Sequence, residues 1–280
     1  MGYIFSTDYI SGKIYQHQGF SSIIVDSFSS PSANPFGLTW DGANIFSADE
    51  FVDKIYKHSG FSSIISDSFS SPSTGVYGLA WDGSNIFSAD VDSDKIYKHS
   101  GFSATISDSF SSPSNAPTAL TWDGSNIYSA DYSSQKIYKH SGFSATISDS
   151  FSSPSDDIRG LTWDDSNICS SDISAAKIYQ HSGFSATISD SFSSPSIAPV
   201  DLAWGATIFG IDSGLRYWDG SEVIGIKGEY PVISTHKMRM WDGTKVLGLP
   251  LVATTHAKAT NLRTYDGISV KAFIKTGAGI

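Results

Sequence analysis

A chain of 280 residues can hold one large all-β domain and a small second one, and 40% apolar content suffices for a packed core. A formal net charge of −10 disfavours nucleic acid, whose phosphates call for a basic stripe, and disfavours an anionic membrane surface. The single cysteine, Cys169, excludes an internal disulfide, and no apolar run approaches the ~20 residues of a membrane span.

The start, MGYIFSTDYISGKIY, lacks a basic n-region and an apolar h-region. Synthesis in a cytoplasm without a signal peptide is therefore expected. Residues 3 to 28 read as three strand-sized runs, B, C and D, with no A run before them. The full unit follows. Run A is Gly37 to Trp40, and Asp41-Gly42 predicts a tight hairpin turn in which both residues tolerate positive φ. Run B is Asn44 to Asp49, and run C is Lys54 to His58 after a variable stretch. A Ser-Gly turn leads to run D, roughly Ser62 to Ser70, whose serines suit an exposed outer edge. Units begin near Phe36, Tyr77, Thr118 and Arg159, and a last A run stands at Val200 to Trp204.

Trp40, Trp81, Trp122, Trp163 and Trp204 mark a fixed step of 41 residues. A period of this length with four short strands per unit predicts a β-propeller. The spare A run at the far end pairs most economically with the orphan B, C and D runs at the start. That gives five four-stranded blades, the first stitched from both chain ends, with no free sheet edge. A competing reading takes Ile208 to Asp212 as a decayed run B and builds a sixth blade from residues 200 to 226. The periodic Trp, with the Leu two residues before it on the same strand face, reads as core between blades.

The fold class expected is thus all-β, with a propeller over 1–212 and a second module over 213–280. In the latter, LRYWDGSEVIGI, MRMWDGTKVLGL and LRTYDGISVKAF each read as strand, Asp-Gly turn, strand. Three hairpins bury little surface alone. Their apolar residues, Trp218, Trp241, Leu247, Leu249 and Leu251, are expected to make the main contact with sister subunits or other proteins.

Repeated polar residues invite chemical readings. His17, His58, His99, His140 and His181 recur once per unit, but equivalent residues on a ring lie on the order of ten ångströms apart, too far to share one ion. A structural hydrogen bond to the neighbouring turn is expected instead. Asp8, Asp49, Asp90, Asp131 and Asp172 end run B and read as turn aspartates. Cys169 stands where other units have Phe or Tyr and reads as a small buried hydrophobe. There is no Gly-x-Ser-x-Gly, HExxH, P-loop or paired-Cys motif. No catalytic residue, metal or cofactor is expected.

Variation between units is unequal. The A–B and C–D turns are nearly constant, whereas the B–C and D–A stretches differ, and in a propeller these two sets lie on opposite faces. The variable face carries Phe36, Glu50, Phe51, Tyr77, Asp92, Tyr132 and Arg159. An exposed mixture of aromatic and charged residues suits sugar or protein recognition.

The run GLTWDGSNIYSAD…KIYKH resembles the repeats of NHL- and YncE-like propellers over residues 1 to about 212. Those families include lyases, hydrolases and binding modules, and none of their catalytic residues carries over. The R-x-W/Y-D-G-x-x-V hairpins resemble short modules of phage and viral tail, fibre and capsid-associated proteins. Together they imply a non-enzymatic virion surface protein. Residues 213–280 would join it to sister subunits and virion proteins, and the propeller face would meet a cell-surface glycan or protein. A free lectin-like binder is the alternative, and a lactonase- or lyase-like enzyme the third reading. Neither nucleic acid nor membrane insertion is expected.

Overall fold

The computed structural model describes residues 2–32 and 34–205, and the backbone of four short strands beyond them. The chain divides between Ala206 and Thr207. The first unit is a five-bladed propeller built entirely of strands. Blade two is β4 (Pro35–Trp40), β5 (Ile45–Asp49), β6 (Lys54–His58) and β7 (Ile65–Ser70). Blade three is β8 (Val76–Trp81), β9 (Ile86–Asp90), β10 (Lys95–His99) and β11 (Ile106–Ser111). Blade four is β12 (Pro117–Trp122), β13 (Ile127–Asp131), β14 (Lys136–His140) and β15 (Ile147–Ser152). Blade five is β16 (Ile158–Trp163), β17 (Ile168–Asp172), β18 (Lys177–His181) and β19 (Ile188–Ser193).

Blade one carries β1 (Tyr3–Asp8), β2 (Lys13–Gln18) and β3 (Ile24–Ser29) from the start of the chain, and β20 (Pro199–Gly205) lies along β1 as its inner strand. The Tyr9 amide donates to the Ala198 carbonyl at 3.3 Å, the same bond that Val91, Tyr132 and Ile173 make to Gly75, Ala116 and Asp157 in other blades. The stitched closure and the count of five stand; the sixth-blade alternative does not. The decayed run at Ile208 to Asp212, and with it the boundary at 212, lies outside the described residues. Beyond the propeller, β21 (Arg216–Trp218) pairs with β22 (Val223–Gly225), and β23 (Met238–Trp241) with β24 (Val246–Leu249). The third hairpin and Leu251 lie outside the described residues.

Two turn readings need correction. The Asp-Gly turn puts only glycine at positive φ (97° at Gly42), while Asp41 Oδ1 instead accepts the amides of Ala43 and Asn44 at 2.8 and 2.6 Å. Blade five keeps this turn with Asp165 at φ 75°, where a side chain is tolerated best by Asp or Asn. The outer strand starts later than expected, at Ile65 rather than Ser62. Ser62 is drawn into the preceding turn, where its hydroxyl donates to the Ser59 carbonyl at 2.8 Å and its own carbonyl receives a histidine.

Between blades the periodic Trp packs as expected. Phe46 of blade two stacks on Trp81 of blade three at 5.3 Å and 17°, and Tyr128 on Trp163 at 5.8 Å and 7°. At the fifth interface Cys169 takes the place of that aromatic ring. It is fully buried with Ile4, Ile178 and Leu202 against Trp204 and Phe20, and burial pushes its thiol up.

At the centre the inner strands approach so closely that side chains are excluded. A Cβ on Gly78 would lie 2.6 Å from Ala119 Cα, and one on Gly160 2.5 Å from the Val200 carbonyl. Glycine here serves close backbone approach rather than unusual φ.

Each blade is pinned by one buried histidine. Nδ1 lies 2.8–3.0 Å from a backbone carbonyl (Ser21, Ser62, Ser103, Ser144, Ser185), and a carbonyl only accepts, so Nδ1 carries the proton. Nε2 therefore accepts from a serine hydroxyl of the adjacent strand, such as Ser47 or Ser129, at 2.9 Å. The ring packs on a Phe of the preceding blade, as Phe110 on His140 at 5.1 Å.

Two predictions follow from this packing. Gly78→Ala should destabilise the propeller by about 1–3 kcal/mol in a denaturant melt, because backbone rather than a flexible side chain must yield. Stability should also fall steeply with acid. Burial lowers all five histidines from 6.5 to about 4. Below pH 6.5 the unfolded chain binds protons that the folded chain refuses until about pH 4, so stability drops across that window and levels below it. Each histidine contributes roughly 3 kcal/mol at most. Asp49, Asp172 and Asp201, raised by burial, act in the opposite sense. Calorimetry at pH 5 should show a net uptake of several protons on unfolding. A stability unchanged from pH 7 to pH 5 would contradict this account.

Candidate functional site

The two faces of the ring use their polar groups differently. On the face of the A–B turns, Asn44, Asn85, Asn126 and Asn167 each accept the amide of a glycine in the C–D turn at 2.9–3.2 Å. Lys98 reaches Asp82 at 3.3 Å and lies 5.5 Å from the Phe87 ring. The asparagine bond recurs in blades two to five and the Lys–Asp pair in blades two and three, so this face is engaged in holding its own turns.

On the opposite face the run-B aspartates are likewise engaged. Asp90 Oδ1 accepts the Ser93 amide at 2.8 Å, Asp131 Oδ1 that of Ser134 at 2.8 Å, and Asp172 Oδ1 that of Ala175 at 2.7 Å. The second oxygen ties the D–A stretch: Ser32, Ser73 and Ser155 hydroxyls donate to Asp49, Asp90 and Asp172. In blades four and one the donor is a backbone amide, Ala116 at 3.1 Å and Ala198 at 3.2 Å. Each aspartate thereby fixes the two loops that vary most. Both nitrogens of every repeated histidine are occupied as well, and among the described residues no group of three or more His, Cys, Asp or Glu is arranged to hold a metal.

The loops so fixed present unlike residues at equivalent positions. The second residue of the inner strand is Phe36, Tyr77, Thr118, Arg159 and Val200 in turn; the first residue after run B is Tyr9, Glu50, Val91, Tyr132 and Ile173. Their contacts cross between neighbouring blades in two groups, one over blades one to three and one over blades four and five. Tyr9 stacks near Phe36 at 6.1 Å, and Phe36 meets Tyr77 at 4.4 Å. The Tyr77 hydroxyl donates to Glu50 Oε1 at 3.3 Å. Arg159 lays its guanidinium 4.5 Å from the centre of the Tyr132 ring, and its Nε donates to Asp157 Oδ1 at 2.5 Å. Burial, then the Glu50 charge, pushes the Tyr77 hydroxyl up to about 12, while Arg159 pulls the other way. Tyr77 thus stays protonated and serves as a donor.

Five of the seven expected residues therefore fall into two contact groups, Phe36, Tyr77 and Glu50 in one and Tyr132 and Arg159 in the other. Phe36 is not exposed as expected: it is 9% accessible, being sandwiched between Tyr9 and Tyr77. Phe51 and Asp92 stand apart on the rim. Phe51 is 78% exposed, and with Asn34, Glu50, Asp53, Thr74 and Asp92 it lines a shallow cleft of about 350 Å³. Asp92 accepts the Thr74 hydroxyl.

Sequence reasoning missed two residues. Tyr9, 42% exposed, extends the aromatic row and was visible as the counterpart of Glu50 and Tyr132. Asp201 is fully buried on the axis, where Leu38, Leu79, Leu161 and Leu202 amides donate to its carboxyl. Its signal was a register column reading Gly37, Gly78, Ala119, Gly160, Asp201. The assembly residues expected in 213–280 fall in or beside short strands whose side chains lie outside the described residues.

No family model matches the chain, and no curated protein matches it. Solved structures align with it in part. A glutaminyl cyclase of Myxococcus xanthus aligns over 60% of this chain and 69% of its own, at 13% identity and a TM-score of 0.48. A chain of a nidogen/laminin complex aligns over 74% and 99%, at 11% identity and a TM-score of 0.48.

Proposed function

We propose that this chain is a non-enzymatic recognition and display protein. The propeller meets a cell-surface glycan or protein through the side chains of Tyr9, Phe36, Tyr77 and Glu50 and those of Tyr132 and Arg159. Residues 213–280 hold it to sister chains and to a larger particle, of which a virion surface or appendage fits best. The observation that carries the recognition role is the contrast between the two faces. One face repeats most of its internal bonds from blade to blade, while the other gathers unlike aromatic and charged side chains around the axis. Aromatic rings supply rigid apolar area at low entropic cost, and an Arg stacked on a Tyr presents ordered donors; both are typical of binding anchors. The particle role draws on the hairpin repeats and their resemblance to virion modules.

Unlike residues at equivalent positions also favour one site on the ring over five equal ones, which weighs against a lectin with a weak site in every blade. The full-length chain should be applied to an array of neutral and carboxylate-bearing glycans and to intact cells. Tyr77→Ala and Arg159→Ala should each weaken the strongest interaction about 30-fold, the ~2 kcal/mol of a hot-spot residue. Lys98→Ala, on the opposite face, should leave it unchanged. Equal binding by all three variants would remove the recognition role from this face.

A further inference from the structure

The first residue after the mouth of the ring is glycine or alanine in four inner strands and aspartate in the fifth. At three of them no side chain fits. Added Cβ atoms would lie 2.7 Å from Leu79 Cγ at Gly37, 2.6 Å from Ala119 Cα at Gly78 and 2.6 Å from Asp201 Cα at Gly160. Removing side chains from the centre leaves the amides of the following leucines facing it. Asp201 fills that space. Its Oδ2 accepts from Leu38 of blade two at 2.8 Å and Leu79 of blade three at 3.5 Å; its Oδ1 accepts from Leu161 of blade five at 3.3 Å and from Leu202 at 2.9 Å. One group that touches four blades can only lie on the axis. The side chain is fully buried, and among the described residues no lysine or arginine pairs with it. Backbone dipoles alone answer the carboxyl group, as in other concave arrays of amides that bind anions.

We propose that the axis of this propeller is a carboxyl-binding site, which the chain occupies with its own Asp201. The site is made by the ring, from amides of several blades, and the occupant is delivered by β20, the strand that closes the ring. Occupancy and closure are thus one event: β20 is held by β1 at its flank and by three other blades at its tip. The Asp201 amide adds to this, donating to the Thr7 hydroxyl at 2.8 Å, and Thr7 in turn donates to the Phe36 carbonyl at 3.1 Å. Because the amides come from equivalent positions, the site should accept a carboxyl group from another blade, provided a Cβ fits there. Ala119 is the one other position that already carries a Cβ.

The test is a cycle of full-length variants followed by thermal melting. D201G should lower Tm by roughly 10 °C, since four buried amides lose their acceptor. A119D alone should also lower Tm, because two carboxyl groups then compete for one site. The double variant D201G/A119D should be more stable than either single variant. Sodium formate should raise the Tm of D201G saturably beyond sodium chloride of equal ionic strength, and should leave the wild type unmoved. Should D201G fail to fold, D201N serves in its place: its amide nitrogen turns a donor toward donors, and a Tm well below wild type is expected. A double variant no better than D201G, formate acting no differently from chloride, or D201N as stable as wild type would each overturn the proposal.

Discussion

The structure depends on how closely five strands can be brought together at one axis. Inner strands bearing ordinary side chains would be held apart by them. With glycine at Gly37, Gly78 and Gly160 the backbones come into van der Waals contact, and Leu and Trp of one blade can then wedge against the aromatic ring, or at the fifth interface Cys169, of the neighbour. Close approach has a second effect. Backbone amides brought to the centre of a ring are shielded from water and need an acceptor. Four of them share one carboxyl group, so the residue that appears to break the repeat completes it.

The same economy explains the two faces. A buried histidine in every blade and a turn asparagine in blades two to five satisfy the C–D turn in the same way, so those turns have little freedom to differ. The run-B aspartate works differently on the other face. It binds backbone amides and small hydroxyls of the adjoining loops and leaves their larger side chains unconstrained. A fixed backbone with free side chains lets a repeat array carry a nonrepeating surface, and the Phe36–Tyr77 and Tyr132–Arg159 pairs are built on that freedom.

Much of this was legible in the sequence. The Trp beat, the missing first A run and the spare last one determine blade length, strand count and closure. Those features are local and repeated five times, so accidents average out. The histidine could be placed at a turn because its neighbours in sequence are its neighbours in space. The aspartate on the axis was not recognised, because three of its four partners lie 40 to 163 residues away and all are backbone amides, which have no letter in the sequence. The burial of Phe36 was missed for a related reason. Its cover comes from Tyr9 and Tyr77, each in a different blade, and a loop position says nothing about what an adjacent blade lays over it.

The stitched blade also sets the order of events in folding. Within a blade, Pro35 and Asp49 meet across a short hairpin, whereas Ala198 must find Asp8 across 190 residues. The longer loop carries roughly 2 kcal/mol more closure entropy, so hairpins and blades form early and the ring fastens last. Until it does, the inner flank of β1 and the free side of β20 are open strand edges, and the interrupted ring offers them to any other chain in the same condition. Successive blades are so alike that β20 of one molecule fits β1 of a second as well as its own. Dilution during refolding should therefore decide between closed rings and chains linked through exchanged inner strands.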